Sequence, residues 1–332
     1  MSTKKRILSG MQPTGGGKLH IGNLEGALRP WIKLQDEYEM FCFIADWHSL
    51  TTIAEKRIDI AAAARQTAID YIAAGLDPEK CAIFRQSDVK EHAELHLLLS
   101  MVTPVGWLER VPTYKEKRAL VAENDLQVSY GLMGYPVLQT ADIIVYRADL
   151  VPVGRDQAAH IEISREIARR FNTIVGSKVF PEPQAKISEF TGELPGMDGR
   201  KMSKSYGNAI YIGDTPKETQ KRINSAFTTP TKVHITDPGV PEGCVVCKLR
   251  RVYDPENYLC QWDECRAGER GCGQSKKEVA EIINANLAPV RARRAELEAD
   301  PGYVDSVLKN GAERARAAAS ETMTIVRKAL NL

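Results

Sequence analysis

The chain has 332 residues, and 45 Lys and Arg against 43 Asp and Glu leave a formal net charge of only +2. That length suffices for one large domain plus a smaller one, and near neutrality excludes a polyanion binder that works through its overall field. No apolar run approaches membrane-spanning length. The charged opening at residues 1–5 runs into strand-like sequence without a secretory-signal pattern, so the expectation is a cytoplasmic protein with no membrane partner.

In chain order, Arg6-Ile7-Leu8-Ser9 reads as a short apolar strand. It leads through Pro13-Thr14 and His20-Ile21-Gly22-Asn23 into a helix beginning near Asn23, a turn whose backbone N–H groups and helix dipole suit a phosphate. Residues 40–46 form an apolar run closed by an acid, residues 58–75 are helical in pattern and stop at Gly75, and residues 81–85 predict a second buried strand. Residues 141–149 and a helix over 157–171 continue the alternation, and residues 181–200, rich in Pro, Gly and charge, read as a separating loop. Beyond Lys201 strand signals fade. Residues 276–332 predict two or three helices broken at Asp300-Pro301-Gly302. The fold class is therefore α/β, a Rossmann-like doubly wound parallel sheet with a C-terminal all-helical domain. The expected organisation is a catalytic domain over 1–200, a mobile loop at 201–205 and a helical domain over 206–332.

Gly15-Gly16-Gly17-Lys18 invites a P-loop reading, but that motif needs Gly where Gln12 stands and Ser or Thr where Leu19 stands. Lys201-Met202-Ser203-Lys204-Ser205 instead supplies two mobile ammonium groups. Nucleotidyl transfer needs mainly positioning and charge neutralisation, so backbone donors plus lysines suffice without a nucleophilic side chain. Together the two stretches read as halves of an ATP site that activates a carboxylic acid. Residues 201–251 also hold nine Lys and Arg against four acids, a local basic run. Five of the seven cysteines, Cys244, Cys247, Cys260, Cys265 and Cys272, cluster in the second half, which in a cytoplasmic chain suggests metal binding over disulfides.

The pair of stretches resembles the two signatures of the class I aminoacyl-tRNA synthetases, usually His-Ile-Gly-His and Lys-Met-Ser-Lys-Ser, with Asn23 in place of the last histidine. Residues 9–13, 45–48, 135–143 and 152–166 resemble the tryptophan-specific family in particular, and the likeness covers nearly the whole length. It implies ATP contacts from Gln12, Pro13, Thr14, Gly22, Asn23, Gly154, Arg155, Asp156, Leu194, Lys201, Met202, Ser203, Lys204 and Ser205. It also implies a catalytic set of His20, Lys117, Lys201 and Lys204, with Lys115 as the alternative to Lys117. Asp142 would accept the indole N–H, Tyr135 and Gln157 would hold the ammonium group, and His48 would line the pocket. An indole offers one donor on a large apolar body, so a pocket needs bulk plus one placed acceptor. The structural alternative for Asp142 is a helix N-cap.

The resemblance further implies Mg²⁺ with ATP, L-tryptophan and its tRNA as partners, and a homodimer. Some bacterial members carry a [4Fe–4S] cluster here. Cys244, Cys265 and Cys272 resemble three of its ligands, the fourth position is Ser275, and Cys247, or else Cys260, would replace it; zinc is the lesser alternative. Two departures stand out: the loop at residues 13–20 is lengthened, which predicts greater mobility, and Arg155 stands where an acid is commoner.

Overall fold

The computed structural model describes residues 4–53, 59–123, 127–154, 157–187, 194–204 and 206–332. In chain order the strands are β1 (Arg6–Met11), β2 (Glu39–Ile44), β3 (Cys81–Arg85), β4 (Leu150–Val153) and β5 (Gln184–Ile187). The early helices are α1 (Ile21–Asn23), α2 (Arg29–Leu34), α3 (Asp46–Ile53), α4 (Ile60–Ala74), α5 (Glu91–Ser100), α6 (Val105–Leu108) and α7 (Pro112–Glu123). After them come α8 (Tyr130–Ile144), α9 (Ala158–Val175), α10 (Pro216–Asn224), α11 (Val245–Tyr253), α12 (Tyr258–Ala267), α13 (Cys272–Ala299) and α14 (Pro301–Leu330). Among the described residues no helix is long and apolar enough to cross a membrane.

Two compact units emerge, each discontinuous in sequence. One comprises residues 1–17, 27–189 and 300–332; the other comprises 18–26 and 190–299. The first is built on a sheet of order β3-β2-β1-β4-β5, parallel at every pairing. β1 at its centre alternates little and is buried on both faces, as a parallel sheet requires. The order reverses direction beside β1, so the crevice outside the carboxyl ends of β1, β2 and β4 is where such a sheet takes ligands.

Three expectations change on the structure. Residues 141–144 lie in α8 and not in a strand; the short apolar run has the composition of either, and length decides for the helix. The strand that follows is β4. β5 forms within the Pro-rich stretch read as a loop, tolerated there because an edge strand pairs on one side only. Finally α14 packs on β3 of the first unit, where Ala312, Ala315, Ala319 and Met323 enter the same core as Phe41, Phe43 and Phe84. Chain order had grouped α14 with the helices before it.

That packing depends on Gly311, because a Cβ there would fall inside the van der Waals shell of the Ile83 carbonyl. The contact covers the β3 edge of the sheet, which would otherwise offer unpaired backbone groups. Arg314 donates to the Pro78 carbonyl at 2.8 Å and Arg327 forms a two-point pair with Glu94 at 2.7 and 2.6 Å, fixing the helix at its middle and near its C-terminus.

The lengthened glycine loop is closed down on the first unit. Gly17 is buried with φ +77, its position admits no Cβ against Ala63, and its carbonyl accepts from Thr67 Oγ1 at 2.9 Å. In the second unit α13 is the central helix, with α10 and α11 packed along it. Its junction is ionic: Arg250 meets Glu278 at 2.7 Å and Asp254 at 3.1 Å, while Arg270 meets Glu278 at 2.6 Å.

Candidate active site

In the first unit the carboxyl ends of β1 and β2 open onto a cavity of about 240 Å³. Its lining brings together Gln12, His48, Lys117, Tyr135, Asp142 and Gln157, all assigned from sequence, with Gly10, Phe43, Ala45, Thr113, Gln139 and His160. Three of these come from one face of α8, since Tyr135, Gln139 and Asp142 stand four and three residues apart. Asp142 is an interior residue of α8, and the N-cap is Ser129, whose hydroxyl accepts from Leu132 N–H. The cap alternative therefore falls.

One end of the cavity is polar. Thr113 Oγ1 is 2.6 Å from the Tyr135 hydroxyl and 2.7 Å from His160 Nε2, and His160 Nδ1 reaches Gln157 Oε1 at 2.8 Å. His48 is buried and its pKa is lowered to about 4, mainly by desolvation, so its ring is neutral at physiological pH. Lys117 Nζ lies 4.1 Å from the centre of the Tyr135 ring, and burial lowers its pKa. Lys115 is exposed on the same helix.

Asp142 is 2% exposed. Its Oδ1 accepts from Gln86 Nε2 and from His92 Nδ1, both at 2.7 Å. Neither donor had been singled out from sequence. Gln86 sits in a turn after β3 and His92 in α5, and no local pattern links either to residue 142. His160 was findable, because it follows Gln157 by three residues and so shares its helix face.

The second unit joins the two signatures. His20 caps α1: its Nδ1 accepts from Asn23 N–H at 3.2 Å, while Asn23 Oδ1 accepts from His20 N–H at 3.1 Å. Asn23 thus closes a capping box, and the remaining hydrogen of a neutral His20 ring lies on Nε2. Burial, and after it the charge of Lys204, lowers the His20 pKa to about 4. Backbone bonds from Ile21 N–H to Ile210 and from Ile212 N–H to Leu19 tie this segment to residues 210–212. A Cβ on Gly22 would lie 3.8 Å from Met202 Sδ, so the two signatures are in contact.

Met202 is buried and its N–H donates to Leu194. Asn208, three residues beyond the signature, holds the loop by accepting from Ser203 N–H at 2.9 Å and donating to the Lys201 carbonyl at 3.2 Å and Asp198 at 2.8 Å. Lys201 is exposed, whereas Lys204 is largely desolvated and its pKa falls to about 8. Pro13, Thr14 and Gly154 belong to the first unit and lie outside the cavity lining; Arg155, Asp156 and Ser205 lie outside the described residues.

The cysteines meet where α11 begins, α12 ends and α13 begins. Cys244 is the N-cap of α11, and a hydrogen bond from Cys247, with backbone N–H groups and Lys276, lowers its thiol pKa to about 6. Cys247 also bonds Cys265, while Cys260 is exposed beside Glu264. Among the described residues, no group of three or more His, Cys, Asp or Glu side chains is arranged to hold a metal ion. No iron–sulfur cluster or zinc is therefore assigned to Cys244, Cys247, Cys265 and Cys272. The basic run is also smaller than its count. Arg250 and Lys232 are buried in structural pairings and Arg222 is bound to Asp214 at 2.7 Å, which, apart from Lys201 and Lys204 of the signature loop, leaves Lys217, Lys221, Lys248 and Arg251, all exposed.

A sheet reversed beside β1, a capped His-Ile-Gly-Asn turn touching a lysine loop, and an aromatic-walled cavity define a class I tRNA synthetase. The family model for "tRNA synthetases class I (W and Y)" matches residues 2–288. The chain is 48% identical to the tryptophan–tRNA ligase of Thermotoga maritima, over 98% of this chain and 99% of that one, and 40% identical to that of Aquifex aeolicus, over 98% and 100%. The crystal structure of the Campylobacter jejuni tryptophanyl-tRNA synthetase complexed with ADP and tryptophan superposes with a TM-score of 0.85 at 36% identity, covering 98% of this chain and 100% of that one. The chain belongs to the tryptophanyl-tRNA synthetase family.

Lys204 should make polyphosphate binding depend on pH. In the ligand-free protein it loses its proton near pH 8, and a bound anion raises its pKa, so binding above that pH must take up a proton. Calorimetric affinity for inorganic pyrophosphate is expected to fall as pH rises through about 8. Lys204→Arg, charged throughout, should abolish that step, and a step that persists would remove Lys204 from the phosphate site.

Proposed function

We propose that the protein attaches L-tryptophan to its cognate tRNA in two steps, through a tryptophanyl-adenylate, with release of AMP and pyrophosphate. The observation that carries the amino-acid choice is the buried Asp142 carboxylate in the wall of the first unit's cavity. It gives an indole N–H one acceptor, and Tyr135 with Gln157 takes the ammonium group while His48 packs on the pocket. Family membership and the ADP and tryptophan held by the Campylobacter jejuni relative support the same reading.

The tryptophan carboxylate attacks the α-phosphorus of ATP in line. It is already ionised near neutral pH, so no protein general base is required. Charge on the leaving pyrophosphate is offset by Lys201, Lys204 and Lys117, Mg²⁺ arriving with ATP would add to that neutralisation, and the Nε2–H of His20 donates to the phosphate. The family resemblance assigns the remaining ATP contacts to Gln12, Pro13, Thr14, Gly22, Asn23, Gly154, Arg155, Asp156, Leu194, Met202, Ser203 and Ser205. The adenylate then acylates the 2′-hydroxyl of the terminal ribose. Tyrosine is the rival substrate. Pyrophosphate exchange dependent on tryptophan and at least ~10⁴-fold less efficient with tyrosine is expected, and comparable exchange with both overturns the assignment.

The second unit binds the anticodon end of the tRNA, and its exposed Lys217, Lys221, Lys248 and Arg251 support phosphate contacts. Replacing Lys248 and Arg251 by Ala should lower the salt slope of tRNA binding by about one unit each, uniformly across tRNA sequences. An unchanged slope moves the contact surface elsewhere. The protein works in the cytoplasm as a homodimer through an apolar face of the first unit, where Leu97, Met101 and Val105 are 55, 74 and 55% exposed. Sedimentation should show a dimer at micromolar concentration that Met101→Lys dissociates; a wild-type monomer excludes this.

A further inference from the structure

We infer that His92 is a positioning residue for substrate choice: with Gln86 it saturates one oxygen of Asp142, so that only the other is left to meet a ring N–H in the cavity. The inference rests on the reading of Asp142 as the indole acceptor and adds what makes that acceptor single and fixed. Among the described residues every partner of Asp142 is at Oδ1, where Gln86 Nε2 and His92 Nδ1 both approach to 2.7 Å. Oδ2 has none. His92 and Gln86 are wholly buried and stand outside the cavity lining, whereas Asp142 is part of it.

Hydrogen bookkeeping fixes the roles. Gln86 Oε1 accepts from His48 N–H at 3.0 Å, so its amide cannot flip without losing that bond, and its NH₂ must face Asp142. The Tyr146 hydroxyl is wholly buried, and its one partner among the described residues is His92 Nε2 at 2.7 Å. A buried hydroxyl hydrogen needs an acceptor, so Tyr146 donates, Nε2 is the bare nitrogen, and the ring hydrogen lies on Nδ1 facing the carboxylate. His92 thus meets Asp142 through an Nδ1–H that donates to Oδ1. Phe43 and Phe84 flank the imidazole at ring-centre distances of 6.0 and 6.3 Å and prevent it from turning away.

Freed from these donors, the carboxylate could rotate or bond a water, and its hold on the N–H would weaken. The test uses L-tryptophan and its benzothiophene analogue, which keeps the bicyclic shape but has sulfur in place of N–H. The measured quantity is the ratio of kcat/KM for the two in pyrophosphate exchange. In His92→Leu/Tyr146→Phe the ratio should fall by ~10-fold or more, while His92→Asn/Tyr146→Phe, which restores an amide donor at the Nδ1 position, should keep it within about threefold of wild type. A purely structural role would lower both substrates equally and leave the ratio unchanged, which overturns the inference. Asp142→Ala separates the two levels. If that variant keeps the wild-type ratio, the acceptor reading itself fails; if it collapses the ratio while the His92→Leu pair does not, only the positioning role fails. Should the leucine variant not fold, Gln86→Met removes the other Oδ1 donor, and an unchanged ratio there counts equally against the inference.

Discussion

A carboxylate buried at 2% exposure and held by an amide and an imidazole is the constraint around which the first unit is organised. Desolvating such a group is tolerable only when donors replace the lost water, and here those donors are the Gln86 amide and the His92 ring. Each of them needs its own support. Gln86 draws on the first turn of α3, His92 on Tyr146 at the end of α8, and the aromatic rings of β2 and β3 confine the imidazole. A single acceptor in the wall therefore commits side chains from β2, β3, α5 and the turns that follow β3 and α8, with a backbone N–H of α3, which is why the cavity cannot be understood from its lining alone.

In the second unit the limiting quantity is charge held out of water. His20 is neutral because it is buried and because Lys204 is near, and its use of Nδ1 as a helix cap leaves Nε2 as a donor at a defined place. Lys204 is itself destabilised as a cation by burial. A desolvated ammonium gains more from an arriving anion than a hydrated one does, because less water must be displaced when the anion binds. Lys201, exposed on the same loop, lacks that advantage. Asn208 gives the two lysines one backbone frame, since it grips the loop at both Lys201 and Ser203.

Much of this was legible in the chain and some was not, for physical reasons. Elements with a local cause were readable: β1, β2 and β3 as apolar runs, α4 closed by the left-handed Gly75, and the break between α13 and α14 at Asp300, whose side chain caps the latter. The side chains of the cavity were readable where a whole family resemblance marked them. What escaped depends on contacts between distant residues. Nothing near Gly311 announces that β3 passes beneath it, so the return of α14 to the sheet was hidden. Arg250 and Lys232 counted as free charge until their partners, 28 residues away in one case and backbone carbonyls in the other, came into view. His92 and Gln86, 50 and 56 residues from Asp142, carry no motif at all.

Two histidines, His20 and His48, make a general point about polar residues in dry sites. From sequence His48 was expected to line the pocket and His20 to belong to the catalytic set; burial holds both neutral, and His20 is then defined by which nitrogen keeps its hydrogen. Neutrality is an advantage in both places. A cationic ring at residue 20 would repel Lys204, and one at residue 48 would add a second cation beside Lys117 and pair with Asp142. Full charges are thereby confined to groups that meet an oppositely charged or donating part of a ligand, while the histidines supply direction. The same division gives His92 its proposed role: it would govern where the Asp142 charge points, not how much charge there is.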